Sequence, residues 1–300
     1  MGAPVDRSSE DRYLRHHDRS TARRPRRHRR RCDEQPHRAG RQSGSAVAGD
    51  RALPRRRADD QLQVSRQRRR HGPRHHPADV FRKSSASITG PHDDIVKPSH
   101  VGLLDYEVEI GLVIGRDVPV GTTISDSALS DYVAGLVVTN DVSARDIQLP
   151  QTQFYEAKSY PSFTPTGPTL VLLSAEELQR FGDLRLQLRV NGQLRQNKLV
   201  DGDMIYPPVQ ALQSLTRFQD LAAGDLILTG TPVGTALSAP PKPMEIIGNL
   251  LPLAVKWKAF FKRQAGNPKY LHNGDVVETI IATDDGVIDL GAQRNTVRYA

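Results

Sequence analysis

The stretch that decides the fold runs from Leu104 to Gly115 and reads Leu-Asp-Tyr-Glu-Val-Glu-Ile-Gly-Leu-Val-Ile-Gly. Its first seven positions alternate between apolar and acidic residues, which predicts a β-strand with one buried apolar face. Glu107 and Glu109 leave the other face together, with Cα atoms about 6.6 Å apart. Carboxylates that close repel each other unless a cation or a proton lies between them, although an ordinary solvated strand face can carry the same pair.

Strand patterns continue on the C-terminal side of this stretch. Apolar runs or alternations mark residues 132–139, 170–173, 184–190, 226–228, 276–281 and 287–290. Asn191-Gly192 is a strong hairpin indication, and Pro207-Pro208 begins a helical pattern that reaches Phe218. Because strands are in the majority and helices are few, the sequence predicts a mixed-sheet α+β domain over residues 80–300.

A proline-rich segment at about residues 240–268 interrupts the strand pattern, and we interpret it as an insertion. Pro240, Pro241 and Pro243 precede an amphipathic stretch. This stretch predicts one or two helices packed on the domain or on a partner subunit. The lysines that follow its apolar residues leave open a helix that lies on a membrane surface.

Residues 1–79 differ in composition from the rest of the chain. Residues 1–80 hold 22 Arg, no Lys and 10 acidic residues, whereas residues 81–300 hold 20 basic and 24 acidic residues. The arm has one aromatic residue, Tyr13, and no sustained apolar period. It cannot bury enough apolar surface to offset the entropy of ordering its backbone. We therefore expect a disordered, Arg-rich arm over residues 1–79.

Three interpretations of this arm are open. Arg clusters release counterions from phosphates, so the arm could bind nucleic acid, but it lacks interleaved aromatic residues for base stacking. A transit peptide would be rich in Arg and Ser, yet the 10 acidic residues argue against one. Arg without Lys is also what a GC-rich coding region yields when it is read in the wrong frame or upstream of its true start. We favour this last hypothesis.

Composition excludes several classes of protein. A chain that is 37% hydrophobic and 25% charged is typical of a soluble globular protein. It has no apolar stretch of the roughly 18 to 20 residues that a membrane helix needs, and its start lacks the apolar core of a signal peptide. Its single cysteine, Cys32, cannot form an internal disulfide or a cysteine-based zinc site. We expect a cytoplasmic protein without a membrane partner.

A third acid strengthens the case for a cation site. Asp141 follows a predicted buried strand, and three carboxylates without clustered His or Cys favour a hard cation, Mg²⁺ before Mn²⁺ or Ca²⁺. If residues 141–148 form a helix, then Asp141, Arg145 and Gln148 share one side of it. The alternative is an Asp that caps the helix, next to an Arg with a structural role.

Four motifs in one order give the chain a specific likeness to a known family. They are residues 104–115, Asn140-Asp-Val-Ser-Ala-Arg-Asp-Ile-Gln148, Lys158-Ser-Tyr-Pro-Ser-Phe-Thr-Pro-Thr-Gly-Pro168 and Leu228-Thr-Gly-Thr-Pro-Val-Gly234. With this order and spacing, the chain resembles the fumarylacetoacetate hydrolase family from about Phe81 to Val297, apart from the insertion. The resemblance implies a mixed β-sheet roll, usually a homodimer. It also implies C–C cleavage, hydration, decarboxylation or tautomerisation of small 2-oxo or 1,3-dioxo acids.

The resemblance also implies roles for the residues at matching positions. The divalent-metal ligands would be Glu107, Glu109 and Asp141. The residues lining the substrate cavity would be Arg145, Gln148, Lys158 and Thr231. A bound cation would stabilise an enolate, while Lys158 and Arg145, the expected catalytic residues, would bind the substrate carboxylate and the developing charge. Taken alone, Lys158 would be an ordinary solvated surface charge.

One family segment is missing upstream of Phe81. Members carry a Gly-x-Asn-Tyr-x-x-His-x-x-Glu segment, whose His and Glu form an acid/base pair on a mobile lid, and residues 1–80 contain nothing like it. His76 and His272, each in a His-x-x-Asp segment, are weak substitutes. We expect a metal-dependent hydrolase or lyase impaired by loss of a pair that contributes about 10²- to 10⁴-fold in rate. The alternatives are a catalytically silent domain that binds metal and acids, and a nucleic-acid binder that uses the Arg-rich arm.

Overall fold

The computed structural model describes residues 61–65, 79–237 and 252–300. Strands dominate these ranges. They are β1 (Gln61–Ser65), β2 (Asp79–Lys83), β3 (Ile88–Thr89), β4 (Ile95–Lys97), β5 (Leu104–Asp105), β6 (Val108–Ile114), β7 (Val133–Asn140), β8 (Ser143–Ala144), β9 (Thr164–Pro165), β10 (Leu184–Val190), β11 (Gln193–Leu199), β12 (Leu226–Leu228), β13 (Val276–Thr283) and β14 (Asp289–Tyr299).

The helices of the described ranges are short, with two exceptions. They are α1 (Leu129–Tyr132), α2 (Arg145–Gln148), α3 (Tyr155–Lys158), α4 (Ala175–Gln179), α5 (Pro208–Thr216) and α6 (Leu253–Gln264). Single 3-10 turns lie at Ser85–Ser87, Asp126–Ala128 and Arg180–Asp183. None of the helices in these ranges is long and apolar enough to cross a membrane.

Two five-stranded sheets carry the fold. The first has the order β2-β1-β12-β6-β7 and is antiparallel except between β1 and β12. The second has the order β11-β10-β13-β14-β4 and is antiparallel except between β14 and β4. Two short pairs, β3 with β9 and β5 with β8, complete the strand pairing. The predicted strand-dominated α+β class with mixed sheets is confirmed.

The hydrophobic core lies where the two sheets meet. β6 and β7 of the first sheet contact β10, β13 and β14 of the second. Along β10, buried residues alternate with half-buried ones, as expected for a strand with one face on the core. β6 departs from the prediction of a single buried face, because nearly all of its residues, including Glu109, are buried. Its acidic face is covered by other parts of the domain.

The turn and helix predictions mostly hold. Asn191 and Gly192 join β10 to β11 with positive φ angles of 51° and 76°, the conformation that a type I′ turn requires. The helix predicted from Pro207-Pro208 is α5. Residues 170–173, predicted as a strand, form only an isolated bridge between Val171 and Leu136. The chain crosses β7 at that point, where the missing side chain of Gly135 admits the Val171 carbonyl.

Strand β1 lies within residues 1–79, the stretch predicted to be an Arg-rich arm. Its backbone pairs with β2 and, in parallel, with β12. The parallel partner is more than 160 residues away in the chain, which local composition cannot indicate. The remaining residues of the predicted arm, 1–60 and 66–78, lie outside the described residues.

Helix α6 lies within the predicted insertion and agrees with the helix predicted there. Phe261 packs against the core and Gln264 is buried, so the helix packs on the domain. Trp257, Phe260 and Phe261 form one aromatic cluster along it. Residues 238–251 of the insertion lie outside the described residues.

Candidate active site

Three carboxylates meet where β6 and β7 pair. Glu107 precedes β6, Glu109 lies within it, and Asp141 follows β7. The register pairs Val108 with Asn140, and the Asp141 N–H donates to the Glu107 carbonyl oxygen at 2.8 Å. This pairing brings one oxygen from each acid within 4.8 Å of the others. We call Glu107, Glu109 and Asp141 the acid cluster.

The acid cluster has the chemistry of a site for a hard divalent cation. All three side chains are buried, and the group contains oxygen donors without His or Cys, which suits Mg²⁺, Mn²⁺ or Ca²⁺ better than zinc. Burial, together with the charges of Asp141 and Glu107, raises the pKa of Glu109 well above its ordinary value. The residues present therefore fit the cation that the sequence predicted.

Two lysines hold Asp141 from opposite sides. Lys158 Nζ donates to Asp141 Oδ2 and, at 2.5 Å, to Glu107 Oε2. Lys83 Nζ donates to Asp141 Oδ1 and, at 3.0 Å, to the Phe163 carbonyl oxygen. Burial would raise the pKa of Asp141, but the two ammonium groups bring it down to about 2. Asp141 is thus held as a carboxylate.

Lys158 is a buried member of the site. Only 2% of its residue surface is exposed, which excludes the alternative of a solvated surface charge. Burial would lower its pKa, but the carboxylates of Asp141 and Glu107 raise it above the ordinary value. Its ammonium group also lies 5.6 Å from the centroid of the Phe81 ring.

The guanidinium group of Arg145 forms hydrogen bonds to three side chains of the protein. Its Nε donates to Asp105 Oδ2 at 2.8 Å, its Nη1 to Gln148 Oε1 at 2.7 Å and its Nη2 to Glu107 Oε1 at 2.5 Å. Burial would lower its pKa, but Glu107 and Asp105 raise it. The described residues thus occupy three of the five N–H groups that a guanidinium offers. At most two N–H groups of Arg145 are left for the substrate carboxylate that this residue was expected to bind.

The predicted helix over residues 141–148 is only partly formed. α2 covers Arg145–Gln148, whereas Ser143 and Ala144 are extended and pair with β5. The prediction that Asp141 shares a helix side with Arg145 and Gln148 is therefore wrong. At residues 143–144 the backbone pairs with β5 instead of forming a helical turn. The Arg145 side chain nevertheless reaches both Gln148 and the acid cluster.

The Thr-Gly-Thr-Pro turn borders the acid cluster. The Gly230 N–H donates to Glu109 Oε2 at 2.8 Å, so this N–H holds a member of the acid cluster in place. Thr231 Oγ1 accepts a hydrogen bond from Gln196 Nε2 at 2.8 Å. A pocket open to solvent adjoins the turn. Its lining includes Gly230, Thr231, Lys198 and Met204.

Three residues of this region were missed by sequence reasoning. Lys83 looks like an isolated surface lysine, although strand alternation places it on the same face as the apolar Phe81. Asp105 alternates with the two acids that follow it, yet it is the partner of Arg145. Its oxygens also accept the N–H groups of residues 106, 236 and 237. Gln196 gave no indication, because its partners lie far away in the chain.

The described residues bring no histidine to the acid cluster. His92, His100 and His272 are all exposed. His272 lies 3.8 Å from Asp275 of its own turn, and His100 bonds to the Tyr160 hydroxyl. His272 therefore does not replace the missing base. The other weak substitute, His76, lies outside the described residues.

Most of the chain matches a known protein family. The family profile described as "Fumarylacetoacetate (FAA) hydrolase C-terminal" matches residues 44–298. The match begins upstream of Phe81, where the likeness found by motif begins. It includes strand β1.

Two curated relatives carry the same activity name. "Oxaloacetate tautomerase YisK" of Bacillus subtilis (strain 168) is 42% identical over 171 residues, which is 56% of this chain and 54% of that protein. "Oxaloacetate tautomerase Fahd2a, mitochondrial" of Rattus norvegicus is 35% identical over 163 residues, 54% of this chain and 50% of that protein. The chain thus spans about half the length of these relatives.

Solved structures share the fold over more of the chain. A probable 2-hydroxyhepta-2,4-diene-1,7-dioate isomerase from Mycobacterium abscessus gives a TM-score of 0.60 at 32% identity, over 80% of this chain and 76% of that one. A fumarylacetoacetate hydrolase from Exiguobacterium antarcticum gives 0.60 at 28% identity, over 81% and 76%. The fold is therefore the mixed-sheet fold that the motifs implied.

Proposed function

This chain belongs to the fumarylacetoacetate hydrolase family, and from that premise we propose that it interconverts the keto and enol forms of a small 2-oxo dicarboxylic acid with the help of a divalent cation. The observation that carries the proposal is the buried acid cluster, with three carboxylate oxygens within 4.8 Å of one another. Oxaloacetate is the first substrate to test, because two relatives are named oxaloacetate tautomerase.

The acid cluster would hold the cation. When bound, a divalent ion supplies Lewis acidity that polarises the oxo group of the substrate and favours the enolate. Arg145 keeps Glu107 in place through a 2.5 Å bond, and Gly230 does the same for Glu109 at 2.8 Å. The chain thus orients its acids before a substrate arrives, which is the arrangement that preorganised sites need.

Lys158 would carry the transferred proton: its Nζ would give a proton to C3 of the enol and take one back from the enol hydroxyl. Two of the three N–H groups of its ammonium bond to Glu107 and Asp141, which leaves one for a substrate. The N–H groups of Arg145 that have no partner among the described residues would bind the substrate carboxylate. Gln148, which accepts from Arg145, would keep that guanidinium in place. Thr231, at the rim of the cavity, would contact the other end of the substrate.

Tautomerisation fits this site better than the hydrolysis, hydration or C–C cleavage that the sequence favoured. Moving one proton requires an enolate site and one proton carrier, whereas hydrolysis and hydration also need an activated water. The described residues place no histidine beside the acid cluster to activate one. Decarboxylation passes through the same enolate, so the experiment must separate it from proton transfer.

The test is an enol–keto assay on the full chain. Disappearance of the enol form of oxaloacetate is followed optically with Mg²⁺ and with EDTA, and pyruvate is measured in the same samples. We expect Mg²⁺-dependent acceleration without pyruvate, and a loss of about 100-fold for Glu109→Gln, because it removes a direct ligand. Glu278→Gln changes a half-buried strand glutamate that lies near Arg294, outside the acid cluster, and is the matched control.

The outcomes decide between the candidate functions. Equal rates with Mg²⁺ and EDTA would contradict the proposal, and so would a Glu109→Gln variant as fast as the Glu278→Gln control. Pyruvate formed at the rate of enol loss would replace the tautomerase with a lyase. If the chain binds Mg²⁺ and oxaloacetate but catalyses neither reaction, the alternative of a catalytically silent binding domain is supported. The nucleic-acid alternative rests on the Arg-rich arm and stays a prediction.

The homodimer implied by the family resemblance stays a proposal for this chain. Sedimentation equilibrium measures it directly. We expect a mass twice that of the 33.3 kDa chain. A mass of one chain at micromolar concentration would contradict this expectation.

A further inference from the structure

Gln196 belongs to the second sheet and joins two parts of the site that belong to the first sheet, strand β6 and the turn that follows β12. It lies in β11, at the edge of the second sheet, and only 1% of its surface is exposed. Its Oε1 accepts the Val108 N–H at 3.0 Å. Its Nε2 donates to Thr231 Oγ1 at 2.8 Å and to the Pro232 carbonyl oxygen at 2.9 Å. The function proposed above assigns it no role.

A break in strand register accompanies this inward orientation. β10 pairs Leu188 with Gln196 but Arg189 with Leu194, so Arg195 is an extra residue on β11. Such β-bulges bend a strand and re-aim its side chains, and they are frequent beside active sites. The flanking Leu194 is exposed and Gln196 is buried. The strand edge is thus built to point one amide inward.

We propose that Gln196 is a positioning residue that fixes the Thr231 hydroxyl relative to the acid cluster, and so sets where the far end of the substrate binds. The proposal rests on the function proposed above. Val108 lies between Glu107 and Glu109, so its N–H is a reference point on the strand that carries the acids. Through its hydrogen bonds to Val108, Thr231 and Pro232, the Gln196 side chain fixes the position of the Thr-Gly-Thr-Pro turn relative to this strand.

The amide suits this position because the site needs one acceptor and two donors. A glutamine side chain provides an acceptor oxygen and two N–H groups, and all three have partners here. Because Thr231 Oγ1 accepts from Gln196, the hydroxyl proton is directed away from Gln196. A carboxylate or oxo oxygen of a substrate requires that orientation. Gln196 therefore determines how Thr231 presents its hydroxyl to the cavity.

Gln196→Glu keeps the hydrogen bond to the Val108 N–H, which we call the anchor, and removes the hydrogen bond to Thr231. A carboxylate of the same shape still accepts the Val108 N–H, but it has no N–H for Thr231 or Pro232. It would also take the Thr231 hydroxyl proton for itself. Gln196→Met removes the anchor as well and leaves the Val108 N–H without this partner. Gln193→Glu makes the first change at an exposed position of the same strand and is the matched control.

The probe is 3,3-difluoro-oxaloacetate, which has no C3 hydrogen and cannot tautomerise, so binding is measured apart from turnover. Calorimetry with Mg²⁺ should show that Gln196→Glu and Thr231→Val each weaken binding about 10-fold, as expected for one lost hydrogen bond to a charged ligand. The double variant should bind within about 2-fold of Thr231→Val, because Gln196 acts through Thr231. The Mn²⁺ affinity of Gln196→Glu should stay within about 3-fold of wild type or become tighter.

The results separate this proposal from the proposed function. If Gln196→Glu binds the probe as tightly as Gln193→Glu does, or if the two substitutions weaken binding additively, the positioning role is overturned. If Gln196→Glu shows the expected coupling but the wild type does not tautomerise oxaloacetate, only the proposed function fails. If the wild type does not bind the probe, both fail. Urea unfolding identifies any variant whose fold is lost, and Gln196→Glu, which keeps the anchor, is then the informative one.

Discussion

Replacement of Arg145 by methionine should destabilise the fold far more than the same change at Arg180. Arg145 bonds to Asp105 and Glu107, and the side chains of the three residues are 5%, 0% and 10% exposed. Its removal takes the guanidinium from the fully buried Asp105 and leaves Glu107 with Lys158 as its cationic partner. Breaking a buried ion pair in this way costs about 3–5 kcal/mol.

Arg180 is the matched control because it also bonds to two carboxylates. Its partners, Asp183 and Asp285, lie at 2.9 Å and 2.7 Å, but these side chains are 56% and 49% exposed and Arg180 itself 35%. Solvent screens such pairs, so we expect only a small loss of stability or none. In a domain of this size about 1 kcal/mol shifts the Tm by roughly 2–4 °C. The Tm should fall by roughly 6–20 °C for Arg145→Met and by little or nothing for Arg180→Met.

Urea unfolding in EDTA measures both losses without a cation that could neutralise Glu107. Asp105→Asn completes a double-mutant cycle with Arg145→Met. The double variant should cost less than the two single losses together, because it removes both charges of the pair. Additive losses, or a loss for Arg145→Met as small as that for Arg180→Met, would refute the argument that this guanidinium neutralises buried acids.

Three further outcomes test the cation site, an exposed carboxylate and two turns. Mn²⁺ at about 100 times its Kd should stabilise the wild type by about 2.7 kcal/mol in urea, and Glu109→Gln should abolish most of that gain; equal gains would contradict the cation site. The hydrogen bond from the Thr283 hydroxyl has the largest effect among the contacts that lower the pKa of Asp285 to about 2. The pKa of an aspartate in the unfolded chain is about 3.9. The Asp285 carboxylate should therefore add stability above about pH 4 that is lost as the pH falls toward 2, and unfolding of Asp285→Asn from pH 2 to 6 should lack this slope. Gly192→Ala should lower the free energy of unfolding by about 1 kcal/mol, and Gly234→Ala should lower it more, as measured by thermal unfolding. Both glycines have positive φ angles. A Cβ at Gly234 would lie 2.3 Å from a backbone carbonyl oxygen, whereas a Cβ at Gly192 would have nothing within 4 Å. Equal losses would count against the steric argument.

Local pattern predicted those parts of the fold that depend on nearby residues. The hairpin at Asn191-Gly192 and helix α5 hold because a turn or a helix start depends on a few adjacent residues. The run at residues 170–173 became a single bridge because strand formation depends on a partner, which the run does not contain. The same limit applies to β1, because its parallel partner β12 lies more than 160 residues away in the chain.

The site shows the same division. Motif order identified the three acids and Lys158, and the structure brings them together. Lys83 and Asp105 escaped notice because each binds a partner distant in sequence: Lys83 donates to Asp141 across 58 positions, and Asp105 accepts from Arg145 across 40. Nothing near either residue in the chain indicates that partner.

By itself the sequence determined the strand-dominated class, the main turns and the identity of the acid cluster, because alternation, turn chemistry and motif spacing are properties of neighbouring residues. Only the tertiary structure decided that Arg145 would neutralise buried acids, that Gly230 would hold Glu109, and that Gln196 would link two sheets. These contacts form only when distant strands are brought side by side. Burial then makes each polar group find a hydrogen-bonding partner, and which partner is within reach depends on the folded geometry.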